Sequence, residues 1–222
     1  MEIKVVKLSL DTKNLFRLSD AEKVRGFLGN LFWDNPYAHQ HKADGSLIYL
    51  YPRVQYKIID GECILIGING GLDIIKKVFH ELKVLNIHGK LEEILSKGLE
   101  SYTASFSQIP DPISYSFLTP WLALNEKNYE KYQKFGSWSK RKELLESILV
   151  GNILSMSKSL GYTVTEPIRA EIKNFKEVSE KLKDVPMIGF LGTFAINFEI
   201  PDYWGIGKSV SRGFGTVKKV GQ

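Results

Sequence analysis

The chain has 222 residues, 43 % of them apolar, and a formal net charge of +5. That length suits one large domain or two small ones, each with its own core. No stretch approaches the roughly 18 uncharged apolar residues a membrane helix needs, and the lone Cys63 excludes an internal disulfide and a cysteine-built metal cage.

The first half reads β-α-β-β-α-β. EIKVVKLSL (2–10) alternates and is rich in β-branched residues; the chain's start has no signal-peptide apolar block. Ser19 and Asp20 are suited to cap a helix that runs on through VRGFLGNLF, with Val24, Phe27, Leu28 and Leu31 on one face. LIYLYP (47–52) and VQYKII (54–59) read as strands, and Asp60-Gly61 as a hairpin turn into ECILIGI. Cys63 is then a buried strand residue. GGLDIIKKVFHELKVL (70–85) is an amphipathic helix with Leu72, Ile75, Val78, Phe79 and Leu82 inward, and TASFS (103–107) supplies the closing strand. This order is the split βαβ of the ferredoxin-like fold.

SQIPDPISY (107–115), with Pro110 and Pro112, reads as the break between halves. The expected domains are therefore residues 1–108 and 113–222. In the second half, ISYSFLTP (113–120) is a strand stopped by Pro120. SKRKELLESILVGNILSMSKSL (139–160) is a helix starting near Ser137 or Ser139 and ended by Gly161. YTVTEPIRAEIKN and MIGFLGTFAINFEI read as long strands. Only NFKEVSEKLKD (174–184) could serve as a second helix, so this half looks like a degenerate copy of the first. The fold class is α+β: two tandem ferredoxin-like (RRM-like) domains, the second degenerate, with a C-terminal glycine-rich loop.

That loop, GIGKSVSRGFG (205–215), contains Gly-Lys-Ser. A nucleotide-binding P-loop needs a glycine five residues before Gly207, where the chain has Asp202, and a helix after it, for which no chain remains. The dinucleotide fingerprint fails at Val210. What remains is an electropositive loop. Residues 203–222 carry Lys208, Arg212, Lys218 and Lys219 and no acid. A solvated, frayed terminus would account for the charge but not for Gly205, Gly207, Gly213 and Gly215. Backbone amides of such loops form anion cradles; Lys208 and Arg212 add charge, and Ser209 and Ser211 add donors. An extended phosphate backbone fits better than one nucleotide.

His39 and His41 lie in WDNPYAHQHKADG, a polar turn with Pro36 and Gly45. Three readings stand: surface histidines, a metal pair, or acid–base chemistry. Asp34 and Asp44 complete no ligand spacing. Histidine takes and gives a proton near neutrality, which together with a polyanion loop suggests RNA cleavage without metal or other cofactor. One group deprotonates a ribose 2′-hydroxyl, that oxygen attacks the adjacent phosphorus, and another group protonates the leaving 5′-oxygen. DNA lacks the nucleophile. His80, within the second helix of the first half, and His88, in the loop after it, read as structural.

Over nearly its whole length the chain resembles the CRISPR-associated endoribonucleases of the sixth Cas family (RAMP superfamily), most closely the b subtype. The resemblance rests on VRGFLGNLF, HQH, LIYLYPRVQYKIIDG with IGINGG, FLTPWLALNEKNYEKY, LLESILVGNILSMSK and GFLGTFAINFEIPDYWGIGKSVSRGFG. It implies metal-independent cutting of CRISPR repeat RNA, the precursor of guide RNA, leaving a 5′-hydroxyl and a cyclic or open phosphate. His39 and His41 match the catalytic place, with Tyr49, Tyr37 and Lys42 nearby; which histidine is base and which acid stays open. Arg25, Arg53, Lys140, Arg141, Gly207, Lys208, Ser209 and Arg212 are the expected RNA contacts. Lys140 and Arg141 stand in the first turn of a helix, where the dipole disfavours cations, which suits an anion partner or a solvated end. Other effector subunits and a second copy of the chain remain open as partners, a membrane does not, and the place is the cytoplasm. The runner-up function is a non-catalytic RNA-binding subunit of a CRISPR effector complex; a nucleotide hydrolase is opposed by Asp202.

Overall fold

The computed structural model describes residues 1–32, 50–182 and 185–221. By its internal contacts the chain forms two units. One holds Met1–Ser105 and Val210–Gly213, the other Phe106–Ser209 and the chain from Phe214 on. The four-residue apex of the glycine-rich loop thus belongs with the first half, although the sequence reading placed the whole loop in the second.

In the first unit, β1 (Glu2–Thr12) leads to α1 (Asp20–Leu31), then β2 (Val54–Ile59) and β3 (Glu62–Ile68). A turn of 3₁₀ helix precedes α2 (Leu72–Glu81), which is followed by β4 (Val84–Ile87) and β5 (Lys90–Ser105). The sheet order is β2-β3-β1-β5-β4, with every neighbouring pair antiparallel. Without the short β4, this is the ferredoxin-like order. Asp60 takes φ 52° in the β2–β3 turn, as Asp-Gly hairpins require. Val6, Leu8 and Leu10 of β1, Val54, Tyr56 and Ile58 of β2, and Cys63 and Leu65 of β3 bury against Val24 and Leu28 of α1 and Ile74, Ile75 and Val78 of α2. Cys63 is buried and free. Ile74 joins the buried face, while Leu31 stands half exposed past the end of its stripe.

Several features depart from the sequence reading here: the helix read over 70–85 ends at Glu81, with Val84 and Leu85 in β4, and Leu50–Pro52 of LIYLYP lie outside any strand. Ser19 occupies the α1 N-cap without a side-chain cap bond; Asp20 instead accepts the Arg17 amide hydrogen at 2.8 Å. The closing strand is not TASFS but all of β5, paired with β1 from Glu2↔Ser105 to Thr12↔Ile94. Most of its side chains are exposed, so LEEILSKGLESY carries no alternation to announce it.

The second unit runs β6 (Ser107–Phe117), α3 (Glu126–Lys134), α4 (Trp138–Leu160), β7 (Ala170–Leu182), β8 (Val185–Glu199) and β9 (Val217–Lys219). The order β7-β8-β6-β9 is again ferredoxin-like. α4 begins at the Ser137 N-cap and ends on Gly161 in the left-handed region. Leu145, Leu149, Ile153, Met156 and Leu160 form its buried stripe. Tyr115, Phe117, Trp121, Phe175, Phe190 and Phe194 supply an aromatic core.

NFKEVSEKLKD is not a helix. Its described residues lie in β7, which pairs with β8 from Ala170↔Ile196 to Leu182↔Val185. A bulge between Ile172 and Asn174 interrupts the alternation, and Ile172, Phe175, Val178 and Leu182 stand at helix-like spacing in the sequence. The place of a second helix, between β8 and β9, is held by the glycine-rich loop. SQIPDPISY is not a linker either: it is the first part of β6. Pro110 and Pro112 sit where the pairing jumps from Gln108↔Phe198 to Ile113↔Ile196, a bulge that spares the prolines from donating to the ladder. No helix among the described residues is long and apolar enough to cross a membrane.

Candidate functional site

The glycine-rich loop is a narrow hairpin whose sides are tied by backbone bonds. Tyr203 N–H donates to Val217 O at 2.8 Å, Val217 N–H to Trp204 O at 2.9 Å, and Ile206 N–H to Gly215 O at 2.9 Å. Asp202, which occupies the place of the missing P-loop glycine, accepts the Lys219 amide hydrogen at 2.8 Å. Lys208 donates its amide hydrogen to Leu122 O at 3.3 Å and leaves its ammonium exposed; Ser209 follows at φ 59°.

The glycines serve this packing. At Gly207, φ is 89° and a Cβ would stand 2.5 Å from Trp121 Nε1, which donates to Asn152 Oδ1. At Gly213, φ is 91° and a Cβ would stand 2.9 Å from the Ala21 Cβ on α1. Close approach by the chain's own side chains therefore accounts for both, where the sequence reading had assigned the room to phosphate.

The apex, Val210–Gly213, is a turn closed by Gly213 N–H on Val210 O at 3.2 Å. The same carbonyl accepts from Lys57 Nζ of β2 at 3.3 Å. The turn carries Arg212, whose Nε lies 3.5 Å from Glu22 Oε1 on α1. Arg25 stands one turn further along the same helix face. Burial, and then the charge of Arg212, hold the Arg25 guanidinium below its ordinary value, while Tyr56 and Glu22 oppose the shift. Two guanidinium groups thus stand near one carboxylate, and the Glu22 ion pair is made by Arg212. The Tyr56 hydroxyl beside them is buried, has no hydrogen-bond partner among the described residues, and is pushed up by that burial. Such a cluster suits an anion with several acceptor oxygens.

Of the expected contacts, the fold brings Arg25 and Arg212 together. Arg53 is half-buried just before β2, its carbonyl accepting from Ile68 N–H at 2.8 Å. Gly207, Lys208, Ser209, Lys140 and Arg141 belong to the other unit. Lys140 is exposed. Arg141 is committed within its own unit: Nε donates to Phe135 O at 3.0 Å, the guanidinium lies 4.8 Å from the Tyr132 ring centroid, and Nη1 is 3.6 Å from Glu177. His39, His41 and Tyr49, with Tyr37 and Lys42, lie outside the described residues. Of the other histidines, His88 Nε2 is 3.1 Å from Asp20 Oδ1, and His80 stands edge-on to Phe79.

Sequence reasoning missed Tyr56 and Lys57. The signal was Gln55-x-Lys57, two polar groups on one face of a strand whose other face is apolar.

Comparison with known proteins agrees with this architecture. The family model for the Cas6b N-terminal domain matches residues 1–105, and that for the Cas6b C-terminal domain matches residues 108–220. A crystal structure of Cas6b superposes with a TM-score of 0.93 at 41% identity, covering 99% of this chain and 100% of that one. A second, described as the CRISPR RNA processing endoribonuclease Cas6b, gives 0.79 at 38% identity with coverage of 99% and 100%. An uncharacterized protein of Methanocaldococcus jannaschii is 43% identical over 144 residues, which is 65% of this chain and 97% of that protein.

Proposed function

The chain belongs to the Cas6b family, and from that membership we propose that it is an endoribonuclease that cuts CRISPR repeat RNA into guide RNAs. The observation that carries the reading is likeness across 99% of the chain to a protein described as a CRISPR RNA processing endoribonuclease. The charge arrangement supports it: Arg25 and Arg212 lie near one another beside Glu22, and Lys208 is exposed. In this proposal Arg25, Arg53, Lys140, Lys208 and Arg212 hold phosphates of the RNA. His39 and His41, with Tyr49, act on the reacting ribose and phosphate.

The reaction needs no metal in this scheme. A histidine takes the proton of the 2′-hydroxyl, and the oxygen attacks the neighbouring phosphorus. The P–O5′ bond breaks, and a second group returns a proton to the 5′-oxygen. The products are a cyclic phosphate and a 5′-hydroxyl. Two histidines at i and i+2 share a face of an extended chain, so both can serve one phosphate in that conformation. The absence of any disulfide partner for Cys63 suits reaction in the cytoplasm.

The test is cleavage of a CRISPR repeat RNA in EDTA. Strand scission that stops when the 2′-hydroxyl at the cut site is replaced by hydrogen, while binding persists, is the expected result. Full activity in a His39→Ala/His41→Ala double variant would refute the assigned roles. Binding without scission in the native protein would favour a non-catalytic RNA-binding subunit instead.

A further inference from the structure

Lys57 alone among the described lysines is buried, with none of its surface exposed. Burial alone pushes its ammonium down to about 7. Among the described residues no carboxylate pairs with it: on the neighbouring α1, Glu22 engages Arg212, and Arg25 is a like charge. Cys63 on the adjacent β3 is pushed up to about 12 and stays neutral. The Lys57 ammonium donates to a backbone carbonyl, Val210 O, at 3.3 Å. An apolar side chain of equal length would fill the same space without the cost of drying a charge. For stability alone, lysine is a poor occupant of this position.

The bond it makes is specific. Val210 O is also the acceptor that closes the apex turn through Gly213 N–H. Lys57 therefore holds the one carbonyl on which the turn is built, and the turn carries Arg212 toward Glu22 and Arg25 of α1. We infer that Lys57 is a positioning residue: by gripping the Val210 carbonyl it fixes the loop apex so that Arg212 stands beside Arg25, ready for an RNA phosphate. This rests on the RNA-backbone reading of the loop. Lys57 itself touches no RNA.

The experiment uses the full chain and a repeat RNA made uncleavable by a 2′-deoxy substitution at the cut site. Thermal unfolding and RNA affinity are measured for the native protein, Lys57→Met, Arg212→Ala and the double variant. Lys57→Met keeps length and volume and loses the donor. The expected result is an unfolding temperature unchanged or raised and an affinity about tenfold weaker, the effect of losing one correctly placed charged contact. In the Arg212→Ala background the same substitution has no further effect, because Lys57 acts through Arg212. Losses that add in the double variant overturn the inference, since Lys57 would then act by another route. A Lys57→Met protein that fails to fold, melts lower or binds RNA normally also overturns it, since the lysine would then be structural. If Arg212→Ala binds RNA as tightly as the native chain, the RNA-backbone reading of the loop fails first.

Discussion

The Asp202 carboxylate accepts the amide hydrogen of Lys219 at 2.8 Å, tying the entry of the glycine-rich loop to its exit strand. Lys219 Nζ lies 2.7 Å from Glu199, so the position that a nucleotide-binding loop would give to glycine is used here to close a hairpin. Asp202→Gly would complete the Gly-x₄-Gly-Lys-Ser pattern. It should produce no binding of magnesium-ATP by calorimetry, and it should cost about 1–2 kcal/mol in denaturant unfolding through the lost bond. Nucleotide binding by this variant would show that the pattern, and not the fold around it, decides what the loop holds.

Lys140 and Arg141 are adjacent in sequence and should behave in opposite ways. Arg141 is bonded to Phe135 O and stacked over Tyr132. Arg141→Ala should lower stability by about 1–2 kcal/mol, or roughly 2–8 °C in melting temperature, with RNA affinity unchanged. Exposed Lys140 has no such anchor among the described residues. Lys140→Ala should leave melting unchanged and reduce the salt dependence of RNA binding by about one unit of log–log slope. The reverse pattern would make Arg141 the phosphate contact.

The buried ammonium of Lys57 predicts a pH dependence of stability. Its folded value is near 7, against about 10.4 in an unfolded chain. Below the folded value both states hold the proton, the cost of the buried charge is fully present, and this group contributes no slope. Between the two values the unfolded chain holds the proton and the fold does not. Stability therefore rises with pH there, by at most about 1.4 kcal/mol per unit from this group. Lys57→Met removes that rise. Its advantage over the native chain should be largest near about pH 6 and shrink toward about pH 9, as followed by urea unfolding. A gap that stays constant across that range would show that Lys57 does not titrate in the fold.

Much of the architecture is written locally. The alternation of β1, the Asp60-Gly61 turn and the Ser137 and Gly161 ends of α4 depend on near neighbours, so short windows suffice to read them. The helix α3 was also legible and was passed over. Asn125 accepts the Asn128 amide hydrogen at 2.8 Å, with Glu126 in the first turn and Lys131 and Lys134 in the last, all of them helix-end signals. Strands β5 and β7 were legible only at one end each, in TASFS and in YTVTEPIRAEIKN. The first is polar and exposed and is specified by the long ladder to β1; the second has apolar residues at helix-like spacing and is specified by its ladder to β8.

The sequence by itself determined the two-half organisation, the unfitness of the terminal loop for a nucleotide, the family and the cations available to it. Only the tertiary structure decided which of those cations meet. Arg25 and Arg212 stand near one carboxylate, Arg141 is spent on its own unit, and a strand lysine is revealed as the support of the loop apex. The reason is one of range. Capping, turns and periodicity act over a few residues, whereas Lys57 and the Val210 carbonyl it holds lie 153 residues apart, and a charge's burial depends on everything that folds around it.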